Sequence, residues 1–550
     1  MHKSHIRPLF GLRLFLGLRQ VAGRLFRKMA LLFSASIEQR TFGYGDFREA
    51  QRSAYYRSLA QGVDTSIDDQ TWKDLMMEEM LEQCTAHSSI HGIQMTYATL
   101  RAGGGAQLHR GHTAAWLSLG VKARPHLDKL RSARSEVATA LFGSEVLYLP
   151  LWAKRIHLIP WIEGVLLLAA VYLQWWPAAF GVLALSLLTH GSIQIRLYAH
   201  LIAWRDLQRE LIRLLDCATS IRKEFDDDRL VGFQEALPIA RIGEIRRDIG
   251  PSLWEAVPGF SEYADLLFLH SFARLDKARA RLAIHAHDLR ATFQHLASIE
   301  MHCSIARFRA GHQNACDVQP PRTARLLLQD AVNPLVCRGS PFSVKIDGNG
   351  AIVTGKNGVG KSTLLRGIGL NLALSRSFGF CLASVAELPE LTPWSSIQNE
   401  DSLALGESLY MAEMRRANEL ILASRAGKCA FLVDELFRGT NNTESVSAAT
   451  AVLEELARNN VVVASSHNVV LTSILRPSFS ALVLRRRHDG STMSLELVSG
   501  VEHETNGIEM MSKFLLPDAV VRRAEFIAEW YLRTMTESGS VVGTPGAIHE

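Results

Sequence analysis

A glycine-rich segment in the carboxy-terminal half of the chain has the residue types that bind phosphate. Residues 355–362 read Gly-Lys-Asn-Gly-Val-Gly-Lys-Ser and fit the pattern G-x-x-x-x-G-K-[ST]. Glycines let backbone N–H groups surround phosphate oxygens, and the amino terminus of a following helix adds partial positive charge. The lysine can reach the β- and γ-phosphates, and the serine hydroxyl can hold Mg²⁺. The predicted phosphate-binding residues are Gly355, Gly358, Gly360, Lys361 and Ser362.

The residues on either side give this segment the setting that a phosphate-binding loop requires. Residues 351–353 form an apolar run typical of a buried strand, and a helix-like apolar pattern begins at Thr363. The alternative is a glycine loop that occurs by chance, which would not be expected between a strand and a helix. We therefore predict an α/β P-loop NTPase domain that binds ATP and Mg²⁺.

Two acidic residues follow a second apolar run, where they could act on a bound triphosphate. Residues 429–433 read Cys-Ala-Phe-Leu-Val and are followed by Asp434 and Glu435. Asp434 can complete the Mg²⁺ shell, whereas Glu435 can orient and deprotonate the attacking water. Strands that end in acids are common, but the combination with the glycine loop favours ATP hydrolysis.

Two further segments carry weaker signals. Residues 460–464 predict a third strand, and His467 after it would lie at the ligand edge of a parallel sheet. His467 either senses the γ-phosphate or is an ordinary surface histidine. Ser408 follows Gly406 at the start of a predicted helix. It is either a helix cap or, as in head-to-tail nucleotide sandwiches, a hydroxyl that completes the site of a partner subunit.

The size and composition of the chain indicate several folded units. At 550 residues it is too long for one hydrophobic core. Its net charge of +5 permits an anionic partner without requiring one, and its seven scattered cysteines are typical of free thiols in a reducing compartment. The predicted units are 1–70, a basic amino-terminal region; 71–150, a helical core; 151–196, a transmembrane hairpin; 197–322, a helical lever and core; 323–534, the ATPase domain; and 535–550, a disordered tail.

The first residues of the chain are basic. Residues 1–37 contain seven Lys or Arg and no acid, in a roughly amphipathic pattern. Such a segment can lie on an anionic membrane or direct targeting. A flexible basic tail, or a true start at Met29 rather than Met1, would account for the same residues.

A long uncharged segment predicts two membrane-spanning helices. The 32 residues after Glu163 contain no Asp, Glu, Lys or Arg, and 158–176 and 178–195 are each long enough to cross a hydrocarbon core. Basic flanks at both ends predict cytoplasmic ends and a cytoplasmic ATPase domain. The alternative is a hairpin buried in a soluble core, which the polar residues Glu163, Gln174 and His190 would favour.

Most of the remaining chain has a helical pattern. Residues 71–141 and 197–315 have apolar residues at helical spacing, and 266–308 is predicted to form one long helix. The arginines and lysine along that helix form a charged face. Such a face is usually solvated rather than a DNA-binding stripe.

Four segments, in the same order, resemble the ATPase domain of the MutS family of mismatch-repair proteins. The loop at 354–363, which includes Asn357 and Thr363, resembles the nucleotide loop of that family. Its centre, residues 358–360, looks more like that of general ABC-type ATPases. The other segments are 401–414, which resembles the trans-acting signature; 434–440, the acid strand and its turn; and 499–524, the closing strand and helix.

The resemblance implies an ABC-type ATPase domain that works as a homodimer and closes around ATP. It also implies DNA binding in mismatch repair, with helical levers that move as the nucleotide changes. Asn357 and Thr363 would join the nucleotide-binding residues. By the family pattern, the residues that act in cis are Lys361, Ser362, Asp434, Glu435 and His467, and Ser408 acts in trans.

One match to the family pattern is not expected to be functional. Phe47 and Glu49 fit the Phe-x-Glu letters of the family's mismatch reader, whose ring wedges into the minor groove. A helical pattern follows them directly, and too few residues precede them to form a separate reader domain. We do not expect mismatch recognition by this pair.

Two functions of different class follow. The first is a DNA-repair ATPase whose turnover responds to DNA. The alternative is a membrane-anchored, ATP-dependent switch that acts on a protein or lipid partner without recognising mismatches. A half-transporter is disfavoured because two spans leave little room for a transport pathway.

Overall fold

Sheet and helical segments make up most of the chain that the structure describes. The basic segment 1–37, the signature serine Ser408 and most of the predicted tail lie outside the described residues. The computed structural model describes residues 44–59, 66–104, 112–132, 136–143, 151–224, 239–250, 264–265, 267–322, 325–336, 339–397, 409–489, 492–502, 508, 511 and 514–538.

The amino-terminal part is helical, as the apolar spacing predicts. Short 3₁₀ turns at Tyr44–Asp46, Asp128–Ser132 and Leu151–Leu158 connect some of its helices. The helices are α1 (Glu49–Arg52), α2 (Ala54–Leu59), α3 (Asp69–Asp74), α4 (Met77–Thr85), α5 (Ile90–Ala102), α6 (Thr113–Leu127), α7 (Glu136–Phe142), α8 (Ile159–Tyr172), α9 (Trp176–Glu224), α10 (Ile239–Ile249), α11 (His270–Ile284) and α12 (Ala286–Ala310).

The carboxy-terminal part alternates strands and helices. Its strands are β1 (Ala315–Asp317), β2 (Leu326–Ala331), β3 (Phe342–Ile346), β4 (Gly350–Thr354), β5 (Phe380–Leu382), β6 (Val385–Glu387), β7 (Thr392–Ser396), β8 (Cys429–Asp434), β9 (Val461–Ser465), β10 (Phe479–Asp489) and β11 (Thr492–Ser499). Its helices are α13 (Lys361–Phe378), α14 (Leu409–Ala426), α15 (Asn442–Ala457), α16 (Val469–Leu475) and α17 (Asp518–Ser538).

Nine strands form one sheet in the order β6-β2-β3-β11-β10-β4-β9-β8-β7. The strands from β10 to β7 in this order are all parallel, so their carboxyl ends meet at one edge. Strands β4, β8 and β9 are buried along their whole length, which explains their continuous apolar runs. This arrangement confirms the three predicted strands and brings the segments that follow them together.

Two hydrophobic clusters cover the two faces of the sheet. The larger one joins α13 and one face of the sheet to the helical part, and includes Leu75, Phe293 and Leu365. The smaller one packs α14 and α15 on the opposite face and includes Phe431 and Phe437. The helical part therefore shares a core with the sheet on the side of α13.

Several helix boundaries differ from the sequence prediction. The long helix predicted over 266–308 is wrong, because the helical path is interrupted at His285 and α11 begins only at His270. Pro177 lies in the first turn of α9, and the turn between the hairpin helices lies at 173–175. Helix α17 continues to Ser538, past the boundary predicted at 534.

Phe47 is part of the hydrophobic core. Only 6% of its surface is exposed, and helix α1 begins two residues later at Glu49. A ring held in this way is not available to wedge between base pairs, which agrees with the expectation from the sequence.

A buried carboxylate links two helices of the helical part. Glu300 on α12 accepts the backbone N–H of Ser89 at 2.6 Å and also the Ser89 hydroxyl, immediately before α5 begins. A Cβ on Gly92 would come within 2.8 Å of the Glu300 carboxylate, so this packing requires a glycine. Burial raises the pKa of Glu300 to about 7. The hydrogen bonds from Ser89 favour the charged form and partly oppose this rise.

We expect Glu300→Gln to remove a pH dependence of stability. Because the pKa is near 4.5 in the unfolded chain and about 7 in the folded one, the folded state binds the proton more tightly. Glu300 therefore lowers the unfolding free energy by up to about 3 kcal/mol as pH rises from 4.5 to above 7. Urea unfolding of both proteins from pH 5 to 8 checks this, and a stability difference that does not change with pH would contradict it.

Candidate functional site

The predicted phosphate loop lies between β4 and α13, at the carboxyl edge of the parallel strands. Gly358 and Gly360 have φ of 73° and 114°, in the region that side chains rarely adopt. A Cβ on Gly355 would lie 2.9 Å from the carbonyl oxygen of Leu484 on β10, so the loop begins against a neighbouring backbone. These positions need glycine for conformation and for space.

Lys361, the first residue of α13, is buried at the centre of the site. Its ammonium donates to the carbonyl oxygens of Gly355 at 3.1 Å and Lys356 at 3.4 Å, and lies 2.9 Å from Nε2 of His467. Burial lowers the pKa of Lys361, and the nearby carboxylates of Glu435 and Asp434 oppose that shift. The side chain therefore curls over its own loop, towards the acids.

Asp434 ends β8 beside the start of α13. Its two carboxylate oxygens accept the hydroxyls of Ser362 and Ser465. Ser362 and Asp434, predicted to share one Mg²⁺, are thus in direct contact. Hydroxyl and carboxylate oxygens are the donors that Mg²⁺ prefers, and such sites complete the shell with water and phosphate oxygens.

Glu435 has an unusual backbone conformation for a glutamate, with φ of 52°. Its N–H donates to the carbonyl oxygen of Ser465 at 3.2 Å. One carboxylate oxygen lies 3.1 Å from Nε2 of His467, and the other lies 3.3 Å from Nε of Arg438. The side chain is therefore held on both sides at the edge of the sheet.

His467 links the predicted base to the predicted phosphate-binding lysine. Burial, and then the charge of Lys361, lower the pKa of His467 and keep the ring neutral. Nε2 lies between an ammonium donor and a carboxylate acceptor. Moving the ring proton from Nδ1 to Nε2 exchanges the bond from Lys361 for a bond to Glu435.

The remaining predicted site residues are Asn357, Thr363 and Ser408. Asn357 lies exposed in the loop, and the Thr363 carbonyl oxygen, in the first turn of α13, accepts the side-chain amide of Asn333 at 3.2 Å. Ser408 lies outside the described residues, and α14 begins immediately after it at Leu409.

Three residues at the site, Ser465, Arg438 and Arg486, make contacts that were not anticipated from the sequence. The register between β8 and β9 pairs Asp434 with Ser465. This pairing could have been anticipated, because both residues lie at strand ends. Arg438 donates to the carbonyl oxygens of Asp434 and Glu435 at 3.1 and 3.2 Å. Arg486 on β10 donates to the Gly358 carbonyl oxygen at 2.7 Å, a contact that no sequence pattern indicates.

Comparisons with known proteins agree with this geometry. The family described as MutS domain V matches residues 351–530, which include the loop, the acids and His467. Three relatives are each named DNA mismatch repair protein MutS. The protein of Thermus thermophilus is 29% identical over 253 residues, 45% of this chain and 31% of that protein. The protein of Thermotoga maritima is 31% identical over 192 residues, 34% of this chain and 24% of that protein. That of Sorangium cellulosum is 29% identical over 295 residues, 50% of this chain and 31% of that protein.

The matches cover about a third or less of the length of these relatives. The domain V match at residues 351–530 nevertheless includes Lys361, Ser362, Asp434, Glu435 and His467. Residues 351–530 of this chain therefore match MutS domain V, and they follow a helical region.

Proposed function

We propose that this chain hydrolyses ATP in the manner of a MutS-type ATPase. The observation that carries the proposal is the contact between Ser362, which follows Lys361 at the start of α13, and Asp434 at the end of β8. This contact joins a phosphate-binding loop to a pair of acids, with Glu435 and His467 at the same edge. The match of residues 351–530 to MutS domain V supports the same activity.

Each side chain has a distinct task in this proposal. The loop N–H groups and Lys361 bind the phosphates, and Ser362 and Asp434 would hold Mg²⁺, which neutralises developing charge on the phosphates when bound. Glu435 orients the attacking water and accepts its proton. His467, kept neutral by burial and by Lys361, donates through Nε2 when its proton lies there, towards Glu435 or a phosphate oxygen.

The family also supports a dimer and a DNA partner for this chain. We propose that two copies close around ATP and that Ser408 reaches the loop of the partner copy. Relatives of the ATPase domain are named for DNA mismatch repair, and we extend that role to DNA binding here. Buried Phe47 argues against a mismatch reader at that position.

Turnover in the presence of DNA tests this role. The purified full chain is assayed for ATP hydrolysis alone, with homoduplex DNA and with mismatched DNA, at low and high salt. We expect duplex DNA to change turnover, and the effect to weaken as salt rises, because phosphate contacts release counterions. Unchanged turnover, together with no DNA binding at low salt, would contradict the DNA role and favour a switch that acts on a protein or lipid.

We further propose that helices α8 and α9 attach the chain to a membrane. Two described helical segments, Arg155–Tyr172 and Trp176–Arg222, are long and apolar enough to cross a bilayer, and few residues of their most apolar windows are buried. Trp161 and Leu168, for example, are 75% and 71% exposed. An apolar surface of this extent is typical of an interaction or membrane site.

Two polar residues of the hairpin, Glu163 and His190, lie in contact across its two helices. Glu163 on α8 lies 2.9 Å from Nε2 of His190 on α9 and accepts the Thr189 hydroxyl at 3.0 Å. Paired polar groups between two helices are the form in which such residues occur within bilayers. Glu163 and His190, which favoured a buried soluble hairpin, are therefore compatible with a membrane position.

Fractionation of cells is expected to place the full chain in the membrane pellet after a carbonate wash. Replacing Val165 and Leu168 together by arginine should move it to the supernatant, because each arginine at a helix centre costs about 2.5–3.5 kcal/mol of insertion. The matched control replaces the same two residues by alanine and should stay in the pellet. Recovery of the unmodified chain in the soluble fraction would contradict membrane attachment.

A further inference from the structure

Helix α14 holds the turn that follows the two acids. Glu413, in the first turns of α14, is 1% exposed, and its two carboxylate oxygens accept the backbone N–H groups of Arg438 at 3.3 Å and Gly439 at 3.4 Å. These two residues lie three and four positions after Glu435. The carboxylate thus supplies the acceptors that a tight turn cannot provide for itself.

The packing around this contact leaves little freedom. A Cβ on Gly439 would come within 2.9 Å of the backbone nitrogen of Tyr410, so the turn lies directly against the beginning of α14. The Tyr410 ring lies 6.1 Å from the ring of Phe437, which is fully buried. Phe437 and Glu435 both have positive φ, 59° and 52°, and surrounding contacts must hold such conformations in place.

The helix is itself anchored on its other side. Arg416, one turn after Glu413, donates to Asp68 at 2.6 Å and to the Thr71 hydroxyl at 3.0 Å. It also donates to the carbonyl oxygen of Ser395 on β7. Contacts with α3 and with the edge strand β7 therefore fix the position of α14, the helix that carries Glu413.

We propose that Glu413 is a positioning residue that sets the backbone at Glu435, and so the direction in which the Glu435 carboxylate points. The inference rests on the proposed ATP hydrolysis. It deepens that function because a residue on α14 would set the orientation of Glu435, the proposed base. The amino terminus of α14 directly follows Ser408. A displacement of the amino terminus of α14 would therefore be transmitted to Glu435 through the Glu413 side chain.

A double-mutant cycle tests the proposal in the full chain. Glu413→Gln replaces one carboxylate oxygen by an N–H₂ group that faces a backbone N–H, so one hydrogen bond is lost. We expect kcat to fall about tenfold with little change in KM for ATP. This loss is smaller than the roughly 10²-fold fall in rate that a 1 Å misplacement can cause. In a Glu435→Gln background, the same change should cause no further loss, because the residue acts only through Glu435.

Two further measurements separate positioning from general damage. Hydrogen exchange at the amides of Arg438 and Gly439 should speed up in Glu413→Gln, whereas exchange in β8 and the nucleotide affinity should stay unchanged. Glu413→Asp keeps both acceptors with a shorter reach and should recover part of the activity. The matched control is Glu454→Gln on α15, where the side chain is exposed, and it should behave as the unmodified chain.

The outcomes are distinct. Three results would overturn the positioning role while Glu435→Gln still lowered turnover: normal kcat in Glu413→Gln, an equal loss in both backgrounds, or unchanged exchange at the turn. Normal hydrolysis in Glu435→Gln would instead overturn the proposed function, and this inference with it.

Discussion

Replacement of Glu435 by glutamine is expected to lower ATP turnover by about 10²–10⁴-fold while ATP binding persists. The amide keeps the size of the side chain and can still contact His467, 3.1 Å away in the unmodified chain. It cannot accept the proton of the attacking water. The phosphate-binding groups, Lys361 and the loop, remain in place, so the loss should fall on kcat rather than on nucleotide affinity.

Phosphate release measured under steady-state and single-turnover conditions checks this expectation. Glu454→Gln on α15 introduces the same chemical change at an exposed position and should retain full turnover. If Glu435→Gln hydrolysed ATP at the normal rate, Glu435 would not be the base.

The second large effect is expected at Lys361. Lys361→Met keeps most of the apolar stem but removes the charge that is buried beneath the loop. A hydrogen bond to a charged group contributes about 1.5–3 kcal/mol, so the dissociation constant for ATP should rise by about 10- to 10²-fold. Carbonyl oxygens of Gly355 and Lys356 also lose their donor, which loosens the loop.

Equilibrium binding of ATP by calorimetry measures this change. Lys428→Met alters an exposed lysine just before β8 and should leave the affinity unchanged. An unaltered dissociation constant in Lys361→Met would show that the nucleotide binds elsewhere.

The strands, the loop and the acids were predictable because each depends on local sequence. Residues 351–353, 429–433 and 461–464 are apolar runs with no periodic polar face, which a strand buried on both sides requires. The glycine spacing between 355 and 360 is equally local. Because parallel strands end at one edge, the sequence also predicts that Asp434 and His467 approach Lys361.

Contacts between segments distant in sequence were not predictable in the same way. Glu413 and Gly439 are joined only by the packing of α14 on the turn, and positive φ at Glu435 is a conformation that its residue type does not favour. The partnership of Arg416 with Asp68 spans most of the chain. Such contacts depend on tertiary packing, which a motif does not encode.

Some features of the helices were predictable from the sequence, and others were not. The uncharged stretch predicts the hairpin helices, but α9 continues without interruption to Glu224, because no proline or glycine after Gly191 ends it. The helical path between α11 and α12 is interrupted at His285, where neither proline nor glycine marks the break. Tertiary packing can override local helix preference, so a boundary without a breaker residue is not readily predicted from the sequence.

The most direct test of the proposed ATP-bound dimer is the composition of the Glu435→Gln assembly in the presence of Mg²⁺ and ATP. The variant is mixed with ATP labelled in its γ-phosphate, separated by size-exclusion chromatography and analysed for mass and bound nucleotide. We predict that two chains elute together with uncleaved ATP, and that Lys361→Met in the same background removes both the nucleotide and the pairing. Elution of the variant as single chains without nucleotide would contradict it.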